Sequence, residues 1–212
     1  MRERLTKLSV EELSTLYHNQ QAAIRMRLEE FSQIPPTEYF YELIYCLLTP
    51  QSSASNAEKA VTLLRQHSFH QASINPEQLL HQPEFYIRFH KTKAKHLLAM
   101  KNQYPTIKQH LLNGYPSGEI REWLVKNIKG LGWKEASHFL RNIGHRNLAI
   151  LDRHILKNLI RFGVIRKSPK TLTPLRYHSI EKKFQKFAER VGIPIDELDL
   201  LFWSMETGKI LK

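Results

Sequence analysis

Lys134 is the residue of this chain best suited to covalent chemistry. It follows Gly130-Leu131-Gly132-Trp133, and eighteen positions after it Asp152 stands in Ile150-Leu151-Asp152-Arg153-His154. Two glycines flanking one apolar residue let the backbone turn tightly with no Cβ in the way, so its N–H groups can point outward at a phosphate. The spacing predicts that Lys134 starts the helix after this turn. A primary amine there feels the positive end of the backbone dipole, which favours its neutral, nucleophilic form. A carboxylate nearby can help to deprotonate such an amine and offset positive charge that develops on its substrate. Two plainer readings stay open: Lys134 as a phosphate-binding lysine, and Asp152 as the N-cap of a helix beginning at Arg153.

Helices must position these residues, because the chain shows helical apolar periods and almost no strand alternation. Leu8, Leu13, Leu16, Tyr17, Ile24, Leu28 and Phe31 predict a long first helix ending before Pro35-Pro36. Thr37 and Glu38 open a buried second helix through Leu48. Ser52, Ser53 and Ser55 are cap candidates for a third, Ala57 to Gln66, and Asn75-Pro76-Glu77 starts a short fourth. Lys91 to Gln109 is a basic amphipathic segment, and Ser117 caps Gly118 to Lys126. Four more helices are expected at Lys134 to Ile143, Asp152 to Phe162, Leu175 to Val191 and Ile195 to Thr207. No internal repeat or low-complexity tract interrupts them. The economical architecture is an all-α array.

Composition narrows the partners. Thirty-two Lys plus Arg against twenty Asp plus Glu give a net charge of +12 over 212 residues, a field that attracts polyanions, nucleic acid first among them. The single cysteine, Cys46, lies in the apolar run Leu43 to Leu48 and is expected to pack as a small hydrophobe. One cysteine excludes an intrachain disulfide, a four-cysteine iron–sulfur cluster and a thiolate zinc site. The eleven histidines show no H-E-x-x-H pairing, so no metal is expected. No apolar run reaches the roughly 20 residues that span a bilayer, and the N-terminus lacks a signal-peptide core, so no membrane partner and a cytoplasmic location are expected.

Several of these features together resemble one family. Gly130-Leu131-Gly132-Trp133-Lys134, the step to Asp152 and the basic helical frame look like the helix-hairpin-helix DNA glycosylase superfamily. The run Gly130 to Gly144, Ala149 to His154, Arg88-Phe89 followed by Lys93-Ala94, and the terminal Thr207 to Lys212 are similar to its second family of 8-oxoguanine DNA glycosylase/AP lyases. The likeness covers roughly residues 37 to 212. It implies a two-lobed all-α fold: residues 37–145 as a helical barrel ending in the hairpin, and residues 1–36 plus 146–212 as a second lobe, with the active site in the cleft between them. It also implies a monomer that acts on double-stranded DNA containing 8-oxoguanine or abasic sites, associated with the nucleoid through that binding.

The chemistry implied is bifunctional. Lys134 attacks C1′ of a flipped nucleotide and displaces the oxidised base, and the resulting Schiff base allows β-elimination that cleaves the strand 3′ to the abasic site. Asp152 assists deprotonation and offsets the developing charge on the sugar. No cofactor is needed. Backbone N–H groups of Gly130, Gly132 and Lys134 hold a phosphate, and the carbonyls of Lys129 and Leu131 are candidates for a structural monovalent cation.

By position in the family, Asp199, Trp203 and the α-carboxylate of Lys212 lie near the damaged base. Trp203 either stacks on a flipped purine or packs in the core, and Phe89 either touches the base or its partner or marks a helix end. Gln51 resembles the endonuclease III-like branch, where such a side chain fills the gap left by a flipped nucleotide; capping or solvation is its alternative. Lys126, Lys129, Arg141, Arg146, Arg153 and Lys157 are expected to attract phosphates. Alternative functions are an endonuclease III-like glycosylase for oxidised pyrimidines, a glycosylase for alkylated bases, and a non-catalytic DNA-binding hairpin.

Overall fold

The computed structural model describes residues 8–210. Among these, nine α-helices carry the fold: α1 (Val10–Ser32), α2 (Tyr39–Leu48), α3 (Ala54–Gln66), α4 (His90–Leu112), α5 (Ser117–Asn127), α6 (Trp133–Asn142), α7 (Arg153–Arg161), α8 (Pro174–Val191) and α9 (Ile195–Thr207). The fold is all-α but for one small antiparallel hairpin, β1 (His81–Gln82) and β2 (Phe85–Tyr86). The chain forms two compact units. One is Ile34–Ile143; the other draws on the chain before Ile34 and after Ile143.

In the unit Ile34–Ile143, α2 is apolar on nearly every side, and Phe40 and the run Leu43 to Leu48 are buried, as a helix enclosed by others must be. It packs against α3, α4 and α6. Cys46 is fully buried within that run, where the sequence put it. The long α4 contains Pro105, yet its buried stripe of Lys93, Leu97, Met100, Tyr104, Ile107 and Leu111 runs on at helical spacing past the proline. Packing on both sides of the missing N–H holds the helix together.

In the other unit, α1 begins with a capping box: Glu12 N–H donates to Ser9 Oγ at 3.1 Å, and Ser9 N–H to Glu12 Oε2 at 2.7 Å. Helix α9 packs against α1, α7 and α8. Phe202 stacks with Phe162 at 5.4 Å and with Phe184 at 5.7 Å between ring centres, an aromatic core for this unit.

Two local expectations are corrected. Ser117 is the first residue of α5 and not its cap; Pro116 occupies that position. The short helix expected after Asn75 is a single 3₁₀ turn, Gln78–Leu80, because the chain leaves it directly into the β1–β2 hairpin. Strands of two residues are too short to show alternation, so no pattern of residues announces the hairpin.

Candidate active site

The hairpin between α5 and α6 has the geometry its glycines require. Gly130 has φ +91°, and a Cβ there would stand 2.3 Å from Nδ1 of His96 on α4. Only glycine fits, for both backbone and space. Buried Ile128 and Leu131 pin the turn to the unit, with Leu131 N–H donating to the Ile128 carbonyl at 3.2 Å. Arg121 on α5 places its guanidinium over the Trp133 ring at 5.2 Å and donates to Ser137 Oγ at 3.1 Å, which clamps the two helices. Gly132 sits at the N-cap of α6 and contributes no side-chain cap, and a helix N-terminus of this kind suits an anion.

Lys134 is the second residue of α6. Its side chain is 29% exposed and its Nζ stands 3.0 Å from Glu135 Oε1. A second lysine lies in the same electrostatic neighbourhood. Lys93 is 7% exposed, and burial, helped by the Lys134 charge and opposed by that of Glu135, pushes its ammonium down to about 8. Lys129 contributes to lowering His96, after burial as the main cause. Amine, carboxylate and buried ammonium therefore share one corner of this unit.

Asp152 lies in the other unit, where it caps α7. Its Oδ1 accepts from the N–H groups of His154 and Ile155, both at 2.8 Å. Among the described residues Oδ2 makes no hydrogen bond, so capping leaves one carboxylate oxygen for other work. The segment that delivers Asp152 is neither helix nor strand, and most of its backbone is satisfied by side chains of α8 and α9. Asn147 N–H donates to both carboxylate oxygens of Asp196 at 3.1 and 3.0 Å, and Ala149 N–H to Glu181 Oε1 at 2.9 Å. Ile150 N–H donates to Asp199 Oδ2 at 3.4 Å. The Tyr177 hydroxyl donates to the Ala149 carbonyl at 2.6 Å and accepts from Leu151 N–H at 3.3 Å. Buried polar backbone must be paired, and this clamp does it while fixing where Asp152 starts the helix.

The remaining site candidates separate. Asp199, expected beside a base, is only 2% exposed and turned to the chain's own backbone, where it supports the Asp152 segment. Trp203 is half-buried and meets His154 edge-on, 6.1 Å between ring centres. Arg153 is exposed and donates through Nε to His154 Nε2 at 3.1 Å. Gln51 and Phe89 are both exposed and both left-handed, with φ of +56° and +60°. Phe89 is also the N-cap of α4, and the Arg88 guanidinium lies 4.9 Å from its ring centre. Lys212 lies outside the described residues.

Arg141 does not belong with the phosphate-attracting residues. It is 4% exposed and donates to Asn142 Oδ1 at 3.3 Å, inside the unit. Lys157 is engaged by Glu206 at 2.5 Å, and Arg146 donates to the Leu28 carbonyl at 2.5 Å. Lys126 and Lys129 remain exposed beside the hairpin.

Sequence reasoning overlooked Glu135, the carboxylates behind Asp152 and the buried role of Lys93. The first two had no local signal. Lys93 had one: it opens the stripe that continues through Leu97, Met100 and Tyr104, and a lysine on an apolar stripe must find acceptors.

No group of three or more His, Cys, Asp or Glu side chains that could hold a metal ion occurs among the described residues, and no helix among them is long and apolar enough to cross a membrane.

Comparison with known proteins places this arrangement. A family model described as 8-oxoguanine DNA glycosylase matches residues 24–193. The chain is 42% identical to an 8-oxoguanine DNA glycosylase/AP lyase of Fusobacterium nucleatum, covering 95% of this chain and 96% of that one. It is 38% identical to the protein of that description in Korarchaeum cryptofilum, over 89% and 90% of the two chains. A crystal structure of the Methanocaldococcus jannaschii 8-oxoguanine glycosylase/lyase in complex with a 15mer DNA containing 8-oxoguanine superposes with TM-score 0.85 at 32% identity, covering 96% of this chain and 99% of that one. The 8-oxoguanine DNA glycosylase of Thermotoga maritima gives TM-score 0.83, also at 32% identity, over 96% and 98%.

Proposed function

Because the chain belongs to the 8-oxoguanine DNA glycosylase family, we propose that Lys134 is the nucleophile of a bifunctional base-excision enzyme and Asp152 the carboxylate that serves it. The protein is a DNA glycosylase and AP lyase that removes 8-oxoguanine from DNA. The observation that carries the assignment of the nucleophile is its placement: a partly exposed amine on the first turn of α6, directly after the glycine turn that forms the N-terminus of that helix.

In this reading the turn amides seat a backbone phosphate and so set the distance from Lys134 to the sugar of an extruded nucleotide. The amine attacks C1′, the bond to the base breaks, and the base leaves. Ring opening gives a protonated imine on Lys134; loss of a 2′ proton then expels the 3′ phosphate by β-elimination. The Asp152 carboxylate offsets the positive charge on the sugar as the base departs. Glu135, 3.0 Å from the amine, is an acceptor for the proton that Lys134 must lose. Trp203 offers a ring face to the base, and Asp199 supports the segment that carries Asp152.

A structural monovalent cation fits the turn. The Ile128 carbonyl is taken by Leu131 N–H, while the carbonyls of Lys129 and Leu131 accept no backbone bond among the described residues. One lesion offers one such site, which supports action as a monomer.

Single-turnover base release from duplexes carrying one 8-oxoguanine or one oxidised pyrimidine tests the reading. Faster release of 8-oxoguanine is expected. Preference for the pyrimidine, or release of neither base, would overturn it.

A further inference from the structure

We propose that Lys93 is a positioning residue: its buried ammonium holds the Gln51 turn and, through Ser52, the Arg88–Phe89 turn in the conformations that meet DNA. The inference rests on the glycosylase reading above, which by itself needs no second lysine.

Lys93 Nζ donates to the Leu48 carbonyl at 2.7 Å, the Pro50 carbonyl at 2.7 Å and Ser52 Oγ at 3.3 Å. An ammonium has three donors and no acceptor, so these partners use all of it. Leu48 ends α2, and its carbonyl is one of those a helix leaves without an internal partner; a cation there also complements the helix dipole. Ser52 Oγ in turn accepts Arg88 N–H at 3.0 Å. One buried side chain therefore ties the segment 48–52 to the segment 88–89.

Each of those segments contains a left-handed residue that is not glycine, Gln51 and Phe89. Such conformations persist only where the surroundings over-determine them. Both side chains are exposed, Phe89 at 50%, and the Arg88 guanidinium lies over the Phe89 ring. The strain is thus spent on presenting an amide and an aromatic ring at the surface of the unit that carries Lys134. A rigid side chain entering the space of an extruded nucleotide loses less freedom on binding than a mobile one.

The test is a double-variant cycle on the full chain, Lys93→Met with Gln51→Ala, read by single-turnover 8-oxoguanine release and by cleavage of a preformed abasic site. Because Lys93 acts through both turns, Lys93→Met slows base release by about tenfold alone and by clearly less in the Gln51→Ala background, where only the Phe89 arm is left to lose, as expected for residues coupled in one network. Cleavage at an abasic site, which has no base to extrude, falls by less than about threefold. Effects that multiply in the double variant, or equal losses on both substrates, would overturn the proposal. Where Lys93→Met fails to fold at the assay temperature, Ser52→Ala runs the same cycle with the same two outcomes. Wild-type protein that releases no 8-oxoguanine would sink the underlying reading instead, whatever the variants do.

Discussion

Replacing Asp152 separates its two duties. As the N-cap of α7 it accepts two amide bonds at 2.8 Å through Oδ1, and in the proposed mechanism its carboxylate stabilises charge on the sugar. Asparagine keeps an Oδ1 acceptor and ranks with aspartate as an N-cap, so Asp152→Asn is expected to leave stability nearly intact. Alanine removes both bonds at a cost of about 1 kcal/mol. For a chain of this length that lowers the melting temperature by about 2 to 4 °C. The charge term is larger: loss of one preorganised electrostatic partner costs about 3 to 4 kcal/mol, or roughly 10²- to 10³-fold in rate. Single-turnover base release should therefore fall by that factor in both variants, while only Asp152→Ala melts early. Thermal melts and excision rates measured on the same preparations decide it. An Asp152→Asn protein that excises at the wild-type rate would refute the electrostatic role, and one that melts as low as the alanine variant would refute the capping account.

Three further perturbations follow from the same geometry. Gly130→Ala forces a side chain into a left-handed backbone, costing about 1 to 2 kcal/mol, and drives its Cβ into His96; fluorescence anisotropy should show weakened DNA binding, and adding His96→Ala should recover part of the stability but not the backbone strain. If Gly130→Ala melts and binds like the wild type, the turn is not as described. Lys93 titrates at about 8 in the fold against 10.5 in the unfolded chain, so between those values the unfolded state holds more protons and stability rises with pH. The unfolding free energy of the wild type relative to Lys93→Met should grow by about 2 kcal/mol from pH 7.5 to pH 10 in urea titrations; a flat difference would count against a buried ammonium. Tyr177→Phe leaves the Ala149 carbonyl and the Leu151 amide without their hydroxyl partner inside the core, so it should destabilise by about 1 to 3 kcal/mol and slow base release by displacing Asp152. A melt unchanged from wild type would argue against the clamp.

What the residue order revealed, and what it hid, divides along the range of the interactions. The helix ends were legible where a cap is local, as with Ser53 ahead of α3 and Asp152 before Arg153. The glycine turn before Lys134 was legible for the same reason, since the conformation belongs to the glycines themselves. The clamp behind Asp152 was not, because Asp196, Asp199 and Glu181 meet amides 32 to 49 residues away and nothing in their own neighbourhoods marks those partners. Asp199 illustrates the limit, as nothing beside it in the chain announces its burial or its bond to the Ile150 amide. The hairpin of His81 to Tyr86 left no pattern at all, and Arg141 looked like surface charge because a lone arginine carries no sign of its burial.

Borohydride trapping on a duplex with a single 8-oxoguanine tests the central claim most directly, by reducing the imine that joins enzyme to sugar. The account predicts a covalent protein–DNA band with the native chain and none with Lys134→Gln, although the variant still binds the duplex. A band of undiminished strength from Lys134→Gln would show that another amine is the nucleophile and would contradict the assignment.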